Sequence, residues 1–440
     1  MRALAWRRRR SSTVLGPIVI ESRAGSRDLY VPPHNRGMIH RSYASPDGKQ
    51  MLMVEMDERA NIVLCRLAPL DGTGAGRQVG PATGSCLFAA WSPQGEWMYF
   101  SSNSGGAYHI WRQRYPEGEP EQITSGPTEE EGLAMAPDGR SLITAVGSKQ
   151  SSVWVHDSEG DRQISLEGFA YGPRFTPDGK QLLYLVQKGA TDELWVADLA
   201  SGRSEPLLPG FAVSFVGGGA ASSKVSYDIS PDGRQVVVTS AEGGKDKLWL
   251  APLDRHAAPR QIPNVEGEQP LFGFGGEIFF RKIEGNSAFL YRVREDGGGL
   301  RKASDIAVLA VDGGTPDRKW LVLGTSSKQG WLVLFPVEGG TPLITQIAGP
   351  ARLAWPGDRR HVIVMPNAAQ TSSKTYVFPV ALGKLVPDRI VGGLPPEAEI
   401  LKMPGVSVIA ASDVVAGATE ATYAFRRETL QRNLYRIPLP

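Results

Sequence analysis

The stretch Ser230-Pro231-Asp232-Gly233 decides the fold of this chain, because close variants of it return along most of the sequence. The first five copies follow one another at intervals of 40 to 54 residues. The prolines of all the copies, including the altered ones, are Pro46, Pro93, Pro137, Pro177, Pro231, Pro316 and Pro356. Proline presets the second position of a type I turn, aspartate bonds to nearby backbone, and glycine tolerates a positive φ. One such turn per repeat predicts a repeat architecture.

Short apolar runs after each turn predict β-strands. The run Leu182–Val186 is apolar on both faces, which is typical of a strand covered on both sides. A third strand is marked by an apolar or aromatic residue 17 or 18 positions after the turn proline, at Leu64, Trp111, Trp154, Trp195 and Trp249. A fourth segment such as Glu121–Thr124 completes the content of one propeller blade. We expect the tryptophans to lie in the core between blades and not in a sugar-binding array.

The sequence therefore predicts an all-β fold, a β-propeller of four-stranded antiparallel blades with about eight blades. Between Pro231 and Pro316 a further unit is implied, in which Phe272–Gly276 replaces the turn. The repeat turns then lie near residues 46, 93, 137, 177, 231, 274, 316 and 356, in one propeller over residues 16–440. We favour a single large ring; the alternative is a seven-bladed ring with remnants of a second propeller. Residues 1–15, which include Arg7–Arg10, are predicted to form a basic flexible leader.

The composition restricts the classes of binding partner more than it restricts the cellular compartment. The 440 residues carry a net charge of +2, which argues against a dedicated nucleic-acid surface. No apolar run of about 18 residues is present, so no membrane span is expected. Cys65 and Cys86 are candidates for neighbours across adjacent blades, but two buried thiols are the default expectation. The cytoplasm is slightly favoured, with the periplasm as the alternative.

The sequence contains none of the enzyme motifs that we searched for. It lacks a Gly-x-Ser-x-Gly nucleophile elbow, the kinase His-Arg-Asp and Asp-Phe-Gly motifs, and a P-loop. No metal-ligand spacing relates the six histidines, His34, His40, His109, His156, His256 and His361. No repeated Asp, Glu, His or Asn is evident at channel positions, which argues against a propeller enzyme. We therefore expect no catalytic residue, no cofactor and no metal, and predict that the chain is not an enzyme.

Three consecutive glutamates are the candidate binding residues. Glu129, Glu130 and Glu131 precede the strand that leads into the Pro137 turn. In a propeller that segment runs from one face towards the central channel. Carboxylates at a channel rim would attract a peptide amine, a cation or a basic partner. The alternative is three solvated side chains in a loop.

The sequence of the repeats resembles that of a known class of β-propellers. The turn phrase, the Leu194-Trp195-Val196 strand and the Gln122-Ile123-Thr124 segment resemble the TolB-type, WD-repeat-like blades of bacteria, over roughly residues 40–380. More closely, Glu119–Gly139 and Gln431–Pro438 are similar to the propeller regions attached to bacterial serine/threonine kinases.

That resemblance implies a non-catalytic binding or scaffold module for protein or peptide partners, acting as the sensor or interaction part of a bacterial signalling system. The alternative is a propeller fragment of a serine/threonine kinase or of a prolyl-oligopeptidase-type peptidase, with the catalytic domain absent from this chain. The ligand, the propeller face that binds it, the exact blade count and the oligomeric state do not follow from the sequence.

Overall fold

The computed structural model describes residues 18–22, 25–30, 38–56, 63–74, 76–188, 191–214, 226–243, 245–285, 287–325, 332–347, 351–366 and 374–439. The predicted basic leader lies outside these residues. Contacts group the chain into two compact units: unit 1 comprises residues 1–149 and 429–440, and unit 2 comprises residues 150–428. Sequence analysis treated residues 16–440 as one domain, and that assignment stays a prediction.

Unit 1 begins with a hairpin and continues with antiparallel sheets of consecutive strands. The hairpin pairs β1 (Ile18–Ser22) with β2 (Gly25–Tyr30). The first four-stranded sheet contains β3 (Met38–Ala44), β4 (Gln50–Met56), β5 (Val63–Pro69) and β6 (Arg77–Val79). The second contains β7 (Cys86–Trp91), β8 (Trp97–Ser102), β9 (His109–Arg114) and β10 (Glu121–Gln122). Then β11 (Glu129–Met135) pairs with the first part of β12 (Ser141–Asp157).

Unit 2 contains five groups of four consecutive antiparallel strands, each called a sheet below; four of them are separate, and the first is joined to the strand before it by a single parallel residue pair, Ser151 with Phe169. After β13 (Gly160–Gln163), they are: β14 (Phe169–Phe175), β15 (Gln181–Lys188), β16 (Thr191–Asp198) and β17 (Ser204–Pro206); β18 (Tyr227–Ile229), β19 (Gln235–Glu242), β20 (Lys245–Pro252) and β21 (Arg260–Glu266); β22 (Glu268–Phe272), β23 (Glu277–Glu284), β24 (Ser287–Arg294) and β25 (Arg301–Ala307); β26 (Ala310–Gly314), β27 (Trp320–Gly324), β28 (Leu332–Pro336) and β29 (Leu343–Thr345); β30 (Arg352–Ala354), β31 (His361–Met365), β32 (Thr375–Pro379) and β33 (Ser407–Ile409). A 3₁₀ turn, Phe274–Gly276, joins β22 to β23 where the sequence predicted an altered turn. The described helices, α1 (Asp388–Val391) and α2 (Glu397–Ile400), are too short to cross a membrane.

A sixth sheet of unit 2 joins strands that are distant in sequence. It contains β34 (Ser412–Ala416), the first part of β35 (Tyr423–Pro438), the second part of β12, and β13. Within it the Tyr423 ring stacks on His156 with ring centroids 4.7 Å apart, and the Arg427 guanidinium lies 3.9 Å from the centre of the Trp154 ring. In unit 1, the last part of β35 lies beside the start of β12, where Arg436 Nε donates to Ser141 Oγ at 2.7 Å. The four-stranded antiparallel sheets of both units confirm the predicted all-β fold class.

The six sheets of unit 2 form a closed cycle of hydrophobic contacts. One cluster of buried apolar side chains lies between each pair of successive sheets. Val414 and Phe425 of the sixth sheet pack against β31 and β32, and Val153 and Ala424 of the same sheet pack against β15 and β16. The cycle is closed because the sixth sheet touches both the first and the fifth.

The recurring turn is held by its own side chains. In the first copy, Ser45 Oγ donates to Asp47 Oδ1 at 2.5 Å and accepts from Gln50 N–H at 2.9 Å. The hydrogen bond from Thr176 likewise lowers the pKa of Asp178. Gly48 adopts a φ of +69°, as the turn requires. In an altered copy Arg318 occupies the glycine position with a φ of +57°, a conformation that costs a non-glycine residue about 1 kcal/mol.

The third-strand tryptophans lie between sheets, as predicted. Trp111, Trp154, Trp195 and Trp249 are half-buried and pack against four different inter-sheet clusters. The strands before them supply the fully buried side chains, because residues such as Leu182–Val186 are covered on both faces. These packing contacts explain why the repeats carry apolar and aromatic residues at these positions.

A disulfide bond joins the first two sheets of unit 1. Cys65 in β5 and Cys86 in β7 are bonded, with their Cα atoms 5.7 Å apart. The expectation of two buried thiols was wrong, because the repeat places both residues in one cluster between neighbouring sheets. Disulfides persist mainly in oxidising compartments.

Removal of this disulfide is expected to lower the free energy of unfolding of the chain by about 3 kcal/mol. The bond closes a segment with a sequence separation of 21 residues, and a loop of that size restricts the unfolded chain by about this amount. Urea denaturation of the Cys65→Ala/Cys86→Ala variant, compared with the parent chain, measures the difference. Reductant should destabilise the parent and leave the variant unchanged; equal stability of the two oxidised proteins would contradict the prediction.

Candidate functional site

The first strands of the unit 2 sheets line its axis. Neighbouring contacts run from β18 to β22, from β22 to β26, from β26 to β30, and between β14 and β34. In a propeller the innermost strand of each blade faces the central channel. Polar groups on these strands therefore form the candidate site of unit 2.

Asp228 in β18 is fully buried and holds two arginine side chains. Arg318 donates to its carboxylate oxygens at 2.7 and 3.3 Å, and Arg174 of β14 lies 3.5 Å from Oδ1. The backbone N–H of Phe272 in β22 donates to Oδ2 at 2.9 Å. One carboxylate thus joins three successive sheets and the altered turn that carries Arg318.

A second buried carboxylate holds another arginine of the inner strands. Arg352 in β30 donates to Asp413 in β34 at 2.8 Å. Nearby, Arg426 in β35 donates to Glu428 at 2.5 Å. Burial lowers the pKa of Arg426, and the charge of Asp413 opposes that shift. The guanidinium groups are thus held in place by acidic neighbours.

Asp192 is a buried acid without a basic partner in any described contact. Its Oδ2 accepts a hydrogen bond from the hydroxyl of Tyr171 at 2.6 Å, and its Oδ1 has no hydrogen-bond partner among the described residues. Burial raises the pKa of Asp192 to about 7, and the Tyr171 hydrogen bond only partly offsets the shift. Burial and the Asp192 charge also raise the pKa of Tyr171. Such perturbed acids are typical of functional sites, although structural networks perturb them too.

The arginines, unlike the aspartates, retain contact with solvent. The side chains of Arg174 and Arg318 are 20 % and 17 % exposed, whereas that of Asp228 is 0 % exposed. A guanidinium has five N–H donors in a planar fork that matches a carboxylate. Partly exposed arginines that are held by buried acids therefore offer N–H donors whose geometry suits carboxylate or carbonyl oxygens.

Comparison with known proteins adds a peptidase relationship. No protein-family model matches the chain. It is similar to the probable dipeptidyl-peptidase 5 of Arthroderma benhamiae, with 28 % identity over 200 residues that cover 40 % of this chain and 27 % of that protein. It is also similar to the dipeptidyl-peptidase 5 of Trichophyton schoenleinii, with 28 % identity over 231 residues that cover 46 % and 31 %. The chain therefore matches less than a third of the length of these relatives.

Solved structures similar to the chain include TolB and a prolyl endopeptidase. TolB from Acinetobacter baumannii is 18 % identical, with 58 % of this chain and 60 % of that chain covered and a TM-score of 0.27. The prolyl endopeptidase is 12 % identical, with 79 % and 55 % covered and a TM-score of 0.33.

The prediction that this chain is not an enzyme is wrong. Its curated relatives are named dipeptidyl-peptidases, which are hydrolases, and the similarity lies in sequence that the chain devotes to propeller repeats. The prediction failed because it rested on the absence of catalytic motifs. Such an absence does not reveal whether a chain is related to a region of a hydrolase that contains no catalytic motif. The closer likeness to kinase-attached propellers stays a prediction.

The predicted glutamates lie in β11 of unit 1 and have partners. Glu130 is buried, and its Oε2 accepts from Thr124 Oγ1 at 2.7 Å and lies 2.9 Å from His109 Nδ1. Glu131 binds the Arg432 guanidinium, one of whose nitrogens lies 3.7 Å from Glu129. Burial and the Glu131 charge raise the pKa of Glu129. They are not three solvated side chains in a loop, and a binding role for them stays a prediction.

Sequence analysis missed the charged residues of the inner strands. It found no repeated acid at channel positions, whereas the structure places Asp228, Asp312 and Asp413 on β18, β26 and β34. A usable signal was present, since Arg174 and Asp228 each lie three residues before the turn proline in otherwise apolar strands. A charged residue three positions before the turn proline therefore predicts a side chain on the innermost strand of its sheet.

Proposed function

We propose that this chain binds peptides through the inner strands of unit 2, as the propeller of a dipeptidyl-peptidase-type hydrolase. The observation that carries the proposal is the set of partly exposed arginines oriented by buried aspartates, above all Arg174 beside Asp228. Groups held in place before the ligand arrives bind with a smaller loss of conformational freedom.

Arg174 has hydrogen-bond donors to spare. Its described ion pair is a single 3.5 Å contact with Asp228, and its Nε is buried without a hydrogen-bond partner in the described part of the chain. The Arg174 guanidinium also lies 5.8 Å from the centre of the Tyr227 ring, which limits its rotation. The remaining N–H groups suit a peptide carboxylate, which accepts two parallel hydrogen bonds from one arginine.

The peptidase relatives support a peptide as the ligand. Their name denotes enzymes that act on peptides, and the matched sequence is propeller repeat in this chain. Together with the inner arginines, this favours a peptide over a nucleic acid, for which a net charge of +2 offers little attraction. A sensor role in a bacterial signalling system stays a prediction.

The test uses fluorescein-labelled alanine octapeptides with a free or an amidated C-terminus. We expect fluorescence polarisation to show at least about tenfold tighter binding of the free carboxylate, since a charged hydrogen bond contributes roughly 1.5–3 kcal/mol. The Arg174→Gln variant should bind both peptides equally weakly. Arg174→Lys, which keeps the charge and loses the planar fork, should bind between the two.

A matched control is Arg162→Gln, which removes an arginine of unit 2 that pairs with Asp157 outside the inner strands. It should leave the preference for the free carboxylate unchanged. The proposal fails if the parent chain does not distinguish the two peptides, or if Arg162→Gln lowers binding as much as Arg174→Gln. Circular dichroism of each variant confirms that it is folded.

A further inference from the structure

Two neighbouring turns of unit 2 bring together one histidine and two carboxylates. Asp358 lies in the turn between β30 and β31, His361 begins β31, and Glu420 lies in the turn between β34 and β35. The potential ligand atoms of the three side chains all lie within 4.8 Å of one another. His361 Nδ1 and Glu420 Oε2 are separated by 3.5 Å. Ligands about 2.1 Å from a tetrahedral ion lie about 3.4 Å apart, so small side-chain rotations would complete such a site.

The backbone fixes the two turns against each other. Gly357 N–H donates to Gly417 O at 3.1 Å, and Asp358 N–H donates to Ala418 O at 3.3 Å. The Asp358 side chain is held as well, because its Oδ1 accepts from Arg360 N–H at 3.0 Å. The three side chains are therefore presented from a connected frame and not from independent loops.

The histidine nitrogen that faces this cluster has no hydrogen bond. His361 Nδ1 is buried, and no hydrogen-bond partner is found for it among the described residues. Glu420 lies close enough for an electrostatic contact but not in hydrogen-bond geometry. A buried polar atom left unpaired is costly, and a lone pair given to a metal ion would satisfy it.

The charge of the cluster also suits a cation. Neither Asp358 nor Glu420 forms an ion pair with a lysine or arginine in the described ranges, and Arg359, the nearest in sequence, pairs with Asp317. Two carboxylates and one imidazole match a divalent transition metal, whereas Ca²⁺ and Mg²⁺ prefer oxygen ligands alone.

We propose that Asp358, His361 and Glu420 bind one Zn²⁺ ion, which joins two neighbouring sheets of unit 2 at their turns. Water would complete the coordination, since the chain supplies three ligands. The site is separate from the inner strands of the proposed peptide site and does not depend on that function.

Isothermal titration of the full chain with ZnCl₂, after treatment with EDTA, tests the proposal. We expect one ion per chain with a micromolar or lower Kd, and a higher Tm when Zn²⁺ is added. His361→Gln, Asp358→Asn and Glu420→Gln should each weaken binding at least about tenfold, as loss of a metal ligand or its support does. X-ray absorption at the zinc edge should show one nitrogen ligand from histidine, with oxygen ligands for the rest.

The matched control is His156→Gln, which removes another histidine of unit 2 that is paired with a carboxylate, Asp161. It should leave zinc binding unchanged. Binding only at millimolar Zn²⁺ would show an adventitious ion and overturn the proposal. So would equal zinc affinity in the parent and the three ligand variants, or a tighter response to CaCl₂ than to ZnCl₂.

Discussion

The Asp228→Ala variant is expected to lose about 3–5 kcal/mol of the free energy of unfolding of unit 2. Removal of one member of a buried charge cluster leaves its partners uncompensated, and losses of this size are typical. Arg174 and Arg318 would lose their shared carboxylate, and the Phe272 N–H would lose its acceptor. Urea denaturation followed by circular dichroism measures the loss.

Two further variants separate charge from shape in this result. Asp228→Asn keeps an acceptor for the Phe272 N–H, so it should lose less than the alanine variant. Asp305→Ala removes an exposed aspartate of β25 in the same unit and should change the stability by less than about 0.5 kcal/mol. A loss below about 1 kcal/mol for Asp228→Ala would show that Asp228 does not hold the inner strands together.

The Asp192→Asn variant is expected to be more stable than the parent chain at pH 8 by up to about 4 kcal/mol, and about equally stable at pH 4. The pKa of Asp192 is raised from 3.8 to about 7 by burial, which corresponds to about that free energy. Between these pH values the unfolded chain loses this proton and the folded chain keeps it. The free energy of unfolding of the parent therefore falls as the pH rises from about 4 to about 7, and asparagine removes that fall.

Urea midpoints of both proteins at pH 4, 6 and 8 measure the effect as a difference, which cancels the titration of other groups. Asp305→Asn, at an exposed site of unit 2, is the matched control and should show a small, pH-independent difference. A difference between Asp192→Asn and the parent that is the same at all three pH values would contradict the prediction.

The repeats could be predicted from the sequence because their causes are local. Proline, aspartate and glycine within four residues determine the turn, and Leu182–Val186 is apolar for the length of one strand. The tryptophan at a fixed distance from each turn then locates the third strand. The turn and the strands can each be inferred within a single repeat. The fold class and the four strands of each blade could therefore be predicted from the sequence.

The functional residues could not be predicted in the same way, because they come together from different repeats. Arg318 binds Asp228 although it lies 90 residues further along the chain. In the sequence, Arg318 replaces the glycine of a repeat turn, so it suggests only a degenerate copy of that turn. Asp358 is in an altered turn as well, whereas Glu420 lies in a turn that is no copy of the repeat phrase, and only the neighbouring positions of the two turns reveal their proximity. The closure of six sheets in unit 2 is also invisible in the text, since the strands of its sixth sheet carry no mark of their partners.

The composition of that sixth sheet has a consequence for biosynthesis. Its strand in residues 151–157 emerges from the ribosome long before Tyr423, which follows roughly 270 residues later and, at bacterial or eukaryotic translation rates, on the order of tens of seconds later. During that interval the edge of this strand that later pairs with β35 is unpaired, and an unpaired strand edge invites aggregation. We therefore expect the nascent chain to be prone to aggregation until residues 423–428 are made.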